Sequence, residues 1–159
     1  LDDPRIGLNS LRARWVEEQF WVYRRTFQVP DADRGKAAIL TFAHLEQDAV
    51  VFLNGVEVGR HANAHRPARF DIGPHLNPDG ENLLVVRVDA GLYGVADRPG
   101  AEYQPQLSVL LNKRHWQRKG QWQCGWDWQQ RMMNVGILGA VSLVFAEGPT
   151  LFDATVRAT

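Results

Sequence analysis

The chain has 159 residues, with 18 basic and 18 acidic side chains and a formal net charge of zero. This balance gives no electrostatic reason to expect a nucleic acid or an anionic membrane as a partner, and we predict neither. No apolar run approaches the roughly 18 residues of a transmembrane helix. The length predicts one domain, residues 1–159, and the single Cys124 excludes an internal disulfide. The densest basic run, residues 113–119, is interpreted as a solvated loop.

The first predicted element is a short helix near the start of the chain. Asn9 or Ser10 can serve as its N-cap, and Leu11 and Trp15 are spaced i,i+4, which predicts a helix ending at Glu18. Strands are predicted after it at residues 20–29, 37–45, 49–60, 68–72, 82–90, 140–146 and 152–157, where apolar residues alternate or form short runs between turn residues. This succession favours an all-β fold, an antiparallel β-sandwich of two sheets.

One charged residue interrupts the apolar face of the strand at residues 20–29. Trp21, Tyr23 and Phe27 share that face, and the alternation places Arg25 on it as well. We therefore expect Arg25 to lie near a sheet edge, to pair with a carboxylate, or to hold its charged head in water.

The segment at residues 49–60 carries the strongest turn signal. Both central residues of a type I′ turn need positive φ, and the pair Asn54-Gly55 tolerates it. That turn pairs Leu53 with Val56 and Val51 with Val58. The prediction is a hairpin with Val51, Leu53, Val56 and Val58 on one apolar face.

The connection between residues 90 and 140 breaks this pattern. Its roughly 50 residues show weak periodicity, and only residues 107–111 are a plausible strand. Structureless connections beyond about 12–15 residues are uncommon in compact domains and are usually functional or disordered. This one is too aromatic for disorder. We expect an ordered excursion that ends in the run Gly-Trp-Asp-Trp at residues 125–128.

That run suits a carbohydrate ligand. A sugar ring offers an apolar C–H face that an indole can cover, and hydroxyls that donate to a carboxylate. Strand alternation would place Trp126 and Trp128 on one face and Asp127 on the other. Core packing is the competing interpretation, because indoles are usually well buried. The residues alone favour the two interpretations about equally.

Other signatures of catalysis or metal binding are weak. His61 and His65 have the i,i+4 spacing of helical metal ligands but lie between predicted strands. A structural thiol is favoured for Cys124 over a nucleophile assisted by His115. Hydrolysis of a glycoside usually needs two facing carboxyl groups, and the sequence indicates no partner for Asp127. We assign no catalytic residue, no metal and no cofactor.

Three stretches resemble a known family, the amino-terminal sugar-binding-like domain of glycoside hydrolase family 2. Residues 21–30 (WVYRRTFQVP) resemble its opening strand, and residues 52–59 (FLNGVEVG) resemble its hairpin. The segment that distinguishes the β-mannosidase branch is matched by Arg118-Lys119, the Gly-Trp-Asp-Trp run, Arg131 and Gly136-Ile137. The resemblance covers residues 8–157, and the Gly-Trp-Asp-Trp motif is its most specific part.

The resemblance implies a galactose-binding-like jelly roll that packs against a separate (β/α)8 barrel. That barrel, outside this chain, would supply both catalytic glutamates. Trp126 would form a wall of the pocket for the terminal, non-reducing sugar, and Asp127 would accept hydrogen bonds from its hydroxyls. Trp128 and Arg131 are interpreted as support for this loop. The partners would then be the barrel and a carbohydrate with a terminal β-linked sugar, mannose being the candidate.

We therefore predict a non-catalytic domain of a larger exo-acting glycoside hydrolase similar to β-mannosidase. A free-standing carbohydrate-binding module with an open aromatic platform is one alternative, and a structural domain with core tryptophans is another. Gln129-Gln130 and Leu138 stand where the family usually has Gly-Pro and Trp, which leaves the sugar specificity open. The family's first strand precedes the stretch matched by residues 1–8, so one sheet is expected to lack an edge partner.

Overall fold

The computed structural model describes residues 2–100, 113–152 and 154–157. These residues form one short helix, α1, and nine strands. The helix is Asn9–Arg12, and the strands are β1 Trp21–Gln28, β2 Ala37–Phe42, β3 Leu45–Glu46, β4 Asp48–Leu53, β5 Val56–Ala62, β6 Ala68–Asp71, β7 Glu81–Asp89, β8 Gly136–Ile137 and β9 Val141–Ala146. Short 3₁₀ helices lie at Arg14–Glu18, Asp31–Asp33, Gly73–His75, Tyr93–Val95, Arg114–Trp116 and Gln121–Cys124.

The strands build an antiparallel sandwich, as predicted. One sheet has the order β1-β7-β4-β5 and the other β6-β2-β9, while β3 and β8 pair separately. Alternation in β7 buries Leu84 and Val86 on one face, where they join Leu40 and Phe42 of β2 in the core. The described residues thus form an antiparallel β-sandwich with a short N-terminal helix.

The sandwich is open along one side. Among the described residues, β1 pairs with β7 alone and β9 pairs with β2 alone, so both are edge strands. A groove of about 540 Å³ lies between them and is lined mainly by apolar side chains, including Phe27, Leu143 and Phe145. Arg25 lines the same groove, which confirms its predicted position at a sheet edge.

The hairpin turn forms at the predicted residues. Asn54 has φ +51° and Gly55 has φ +84°, and Leu53 pairs with Val56. The Asn54 side chain also fixes the turn to the neighbouring strand, because its Oδ1 accepts a hydrogen bond from the backbone N–H of Leu83 at 2.9 Å.

The register beyond the turn differs from the prediction. A β-bulge shifts the pairing after Phe52, so Val51 pairs with Gly59 rather than with Val58. In a bulge, two residues of one strand lie opposite a single residue of the partner strand. The alternation of apolar and polar residues along the sequence does not predict this. The predicted pairing of Val51 with Val58 is therefore wrong, although Val58 still packs against the core. Val56 pairs with Leu53 as predicted but is exposed, so it adds nothing to the buried apolar face.

Three other element predictions are wrong. The helix ends at Arg12 and continues as a 3₁₀ helix. Its N-cap is Leu8, which forms no side-chain capping bond, and the hydroxyl of Ser10 donates to Gln130 Oε1. The second strand ends at Phe42. Residues 152 and 154–157 form no strand and are exposed, since no described strand pairs with them. The strand predicted at residues 107–111 lies outside the described residues.

Candidate functional site

The Trp-Asp-Trp run lies on a tight turn. The backbone N–H of Trp126 donates to the carbonyl of Gln129 at 2.8 Å, and the N–H of Gln129 donates back to the carbonyl of Trp126 at 3.4 Å. Gly125 precedes the turn with φ +108°, a conformation that side-chain-bearing residues rarely adopt. Asp127 and Trp128 therefore occupy the two central positions of the turn. The alternation predicted for a strand is wrong, because these residues are not in one.

The side chains of this turn are open to solvent. Trp126 is 50% exposed and Trp128 is 66% exposed. Asp127 is also exposed, and within residues 2–100, 113–152 and 154–157 its carboxylate forms no hydrogen bond or ion pair. Trp116 and Trp122, the other two tryptophans of residues 113–128, are exposed as well. The interpretation of these four indoles as core residues is wrong.

Each indole of the turn is supported by one neighbour. The Arg114 guanidinium lies 5.0 Å from the centre of the Trp126 ring, a cation–π contact, and its Nη1 donates to the carbonyl of Gly125 at 3.3 Å. The Trp128 and Trp122 rings pack with their centres 5.9 Å apart and their planes inclined by 32°. These contacts limit the orientations of the indoles and leave much of their surface accessible.

The two chain segments that enter and leave the turn are tied together by Gln123. Its carbonyl accepts a hydrogen bond from the N–H of Met132 at 2.9 Å, and its side-chain Oε1 accepts one from the N–H of Asn134 at 2.9 Å. Its side-chain Nε2 donates to Glu46 Oε1 at 2.8 Å. One side chain thus connects both segments to β3.

A buried ion pair lies beneath the turn. Nη2 of Arg131 is 2.5 Å from Oε1 of Glu17, and Glu17 is only 4% exposed. The other carboxylate oxygen, Oε2, accepts a hydrogen bond from the N–H of Met133 at 3.3 Å. Arg131, interpreted from the sequence as support for the loop, therefore lies at its base.

Lys119 makes a second buried contact to the same segment. It is 3% exposed, and its Nζ donates to the carbonyl of Asn134 at 2.8 Å and to that of Ala90 at 3.3 Å. Burial lowers the pKa of this ammonium, and the negative charge of Glu46 opposes the shift. Lys119 and Lys113 are both buried, so the interpretation of residues 113–119 as a solvated loop is wrong at its two ends.

The other candidates from the sequence behave as structural residues. Cys124 is buried, with its Sγ 3.8 Å from Gln117 Oε1, and burial raises the pKa of the thiol. A thiol held in its neutral form is a poor nucleophile, which confirms the structural interpretation. His61 Nε2 lies 2.6 Å from the carbonyl of Asn63, and no group of three metal-ligating side chains occurs among the described residues. Within the part of the chain that the structure describes, no helix has the length and apolar character needed to cross a membrane.

Comparison with known proteins identifies the family. A family model described as the glycosyl hydrolase 2 galactose-binding domain-like family matches residues 1–139. The chain belongs to this family. The finding confirms the resemblance drawn from the hairpin and from the Gly-Trp-Asp-Trp motif.

Relatives that match most of this chain include β-mannosidases. The chain is 36% identical over 153 residues to beta-mannosidase B of Emericella nidulans and 34% identical over 146 residues to that of Aspergillus terreus. Each match covers 90% of this chain and 17% of the relative. A crystal structure of a β-D-mannosidase from Dictyoglomus thermophilum has a TM-score of 0.78 and 29% identity, and the match covers 91% of this chain and 18% of that one. The chain thus spans about one sixth of the length of these relatives.

The sequence did not indicate that Glu17, Gln123 and Lys119 bond to the segments on either side of the turn. Glu17 and Gln123 each bond to residues far away in the chain, and neither stands in a distinctive local pattern. Lys119 belongs to the resemblance, but nothing along the sequence indicates that its charge is buried. A buried charge requires a partner, so its location becomes informative only once the fold is known.

Proposed function

We propose that this chain is one non-catalytic β-sandwich domain, residues 1–159, of a larger exo-acting glycoside hydrolase similar to β-mannosidase. The domain supports a catalytic barrel that lies outside this chain. Its Trp126 and Asp127 complete the pocket for the terminal β-linked sugar of the substrate. Mannose is the candidate sugar, because the relatives that match most of this chain are named β-mannosidases.

One observation carries the proposal: an exposed carboxylate stands between two exposed indoles at the tip of a turn whose base is anchored. An unpaired, solvated carboxylate can accept hydrogen bonds from two sugar hydroxyls without first breaking an internal bond. The indole of Trp126 supplies the apolar surface that a sugar C–H face covers. The anchored base reduces the entropy lost when the loop becomes fixed on a ligand.

The test compares the isolated chain with the complete polypeptide that contains it. The complete polypeptide should hydrolyse nitrophenyl β-mannoside, and the isolated chain should not, because cleavage requires a facing pair of carboxyl groups that we assign to the barrel. Turnover by the isolated chain that survives purification and disappears in Asp127→Asn would overturn the non-catalytic assignment. A complete polypeptide inactive on β-mannosides and active on another β-glycoside would overturn the choice of mannose.

The exposure of Trp122, Trp126 and Trp128 favours a second candidate, a carbohydrate-binding module with an open aromatic platform. Isothermal titration of the isolated chain with mannose and short β-mannosides separates the two. A domain that contributes only part of a pocket should bind weakly or not at all. Saturable binding that Trp128→Ala abolishes would favour the module.

A further inference from the structure

We infer that Glu17 is a positioning residue for the turn at residues 126–129, and that it acts through its buried ion pair with Arg131. The inference rests on the proposed function, in which this turn contacts the sugar. It assigns a role to a segment near the start of the chain that is not part of the Trp-Asp-Trp motif.

Glu17 is buried at a place where a carboxylate requires partners. It lies on the 3₁₀ helix Arg14–Glu18, more than 100 positions before the turn, and it is 4% exposed. Burial of a carboxylate is unfavourable unless charges or hydrogen-bond donors compensate it. Its Oε1 meets this need through charge alone, as an ion pair with Arg131 at 2.5 Å and a longer one with Arg14 at 3.9 Å, while its Oε2 accepts a hydrogen bond from the N–H of Met133.

Arg131 transmits this constraint to Gly125, the residue that precedes the turn. A Cβ atom placed on Gly125 would lie 3.8 Å from Cβ of Arg131 and 3.9 Å from its backbone nitrogen, which is van der Waals contact. The backbone of Arg131 therefore lies directly against Gly125. A shift of Arg131 would displace both the entrance to the turn and its exit.

The segment that carries Glu17 is itself fixed to the sandwich. Trp21 of β1 donates from its indole Nε1 to the carbonyl of Val16 at 2.9 Å. The Tyr93 hydroxyl donates to the carbonyl of Glu18 at 2.7 Å. The residues before and after Glu17 are thus both hydrogen-bonded to the rest of the domain. Glu17 can therefore hold the turn in a fixed position.

The direct test is amide hydrogen exchange in the 159-residue chain. In Glu17→Gln, the amides of Trp126 and Gln129, which form the bonds across the turn, should exchange at least about tenfold faster, while Val51 and Val86 of the core strands stay unchanged. The matched control is Glu18→Gln, the same substitution at the exposed neighbouring residue, and it should alter none of these rates. Equal acceleration in the turn and the core, acceleration confined to Met133, or no acceleration would overturn the inference.

A second variant addresses the case in which Glu17→Gln does not fold. Arg131→Lys keeps the positive charge but loses the planar, forked donor geometry. It should accelerate exchange at Trp126 and Gln129 by more than about threefold relative to the wild type and leave Val51 and Val86 unchanged. Unchanged exchange at both amides would contradict the role of the ion pair.

Activity of the complete polypeptide gives a readout that general structural support would not produce. Glu17→Gln should lower kcat/KM for nitrophenyl β-mannoside about tenfold in the wild-type background and less than about twofold in the Asp127→Ala background, because it acts through the turn. Equal losses in both backgrounds would contradict this. If Asp127→Ala alone leaves kcat/KM unchanged, the proposed function fails, and the exchange rates decide the positioning inference by themselves.

Discussion

The side-chain amide of Gln123 donates to Oε1 of Glu46 at 2.8 Å, and it joins two buried residues that are 77 positions apart in the chain. Glu46 belongs to β3, and Gln123 lies just before the exposed turn. The oxygen of the same side-chain amide accepts from the N–H of Asn134, so Gln123 links the segment after the turn to β3.

Substitution of Gln123 by Leu should therefore destabilise the protein. Oε1 of the buried Glu46 would lose its partner at about 1–3 kcal/mol, and the N–H of the exposed Asn134 would lose a bond worth about 0.5–1.5 kcal/mol, so we expect the free energy of unfolding to fall by about 2–4 kcal/mol. Urea denaturation measures this. Gln121→Leu, at an exposed position of the same 3₁₀ helix, is the matched control and should change the value by less than about 0.5 kcal/mol. Similar losses for the two variants would contradict the assigned bonds.

The hairpin turn gives a second prediction. Gly55→Val should lower the free energy of unfolding by about 1–2 kcal/mol, since a β-branched residue is strained at φ +84°. Outside Gly55 and its two chain neighbours, no atom lies within 4 Å of a Cβ at this position, so the loss measures backbone strain without a clash. Gly148→Val is the control, because that position is equally open and its φ is outside the left-handed region. An unaffected Gly55→Val protein would rule out the type I′ turn.

Asp48 should make stability depend on pH. Burial raises the pKa of its carboxyl group, and the negative charge of Asp89 raises it further. The folded state then binds the proton more tightly than the unfolded state, so stability falls as pH rises from the ordinary carboxyl pKa of 3.8 through the raised folded pKa. Asp48→Asn should not show this fall in stability with rising pH.

Urea unfolding at about pH 4 and about pH 7 tests the sign of this effect. The stability of Asp48→Asn relative to the wild type should increase between the two pH values. Asp97→Asn, at an exposed position, serves as the control and should follow the wild type. A stability difference for Asp48→Asn that is the same at both pH values would contradict the burial effect.

Local patterns predicted the sandwich but not its irregularities. Alternation at Leu84 and Val86 and the Asn54-Gly55 pair correctly identified a core strand and a hairpin turn, because both signals come from adjacent residues. The bulge at Val58 depends on how two strands meet, and the strand predicted at residues 152–157 lacks a described partner. Neither property is encoded in local periodicity.

The candidate site likewise combines features that the local sequence predicted with features that it did not. The composition around Asp127 indicated a sugar-binding run, but alternation assigned it to a strand, whereas the bonds between Trp126 and Gln129 make it a turn. The residues that anchor the turn, Glu17 and Gln123, bind partners that are distant in sequence. Such pairings follow from the fold and could not be read from the residues around each anchor.

The central claim is that Asp127 serves a ligand rather than the fold, and Asp127→Ala in the complete polypeptide tests it most directly. Because the carboxylate is exposed, its removal should shift the thermal midpoint by less than about 2 °C. Loss of one or two charged hydrogen bonds to the sugar, each worth about 1.5–3 kcal/mol, should lower kcat/KM by about 10–1000-fold. Asp97→Ala, at another exposed acid, is the control for both readouts.

The two quantities are measured on the same preparations, by thermal unfolding and by hydrolysis of nitrophenyl β-mannoside. Where the bond to the sugar tightens only in the transition state, the loss should appear in kcat rather than in KM. The account predicts a large fall in kcat/KM with an almost unchanged thermal midpoint. A thermal midpoint lowered by several degrees with kcat/KM intact would contradict it.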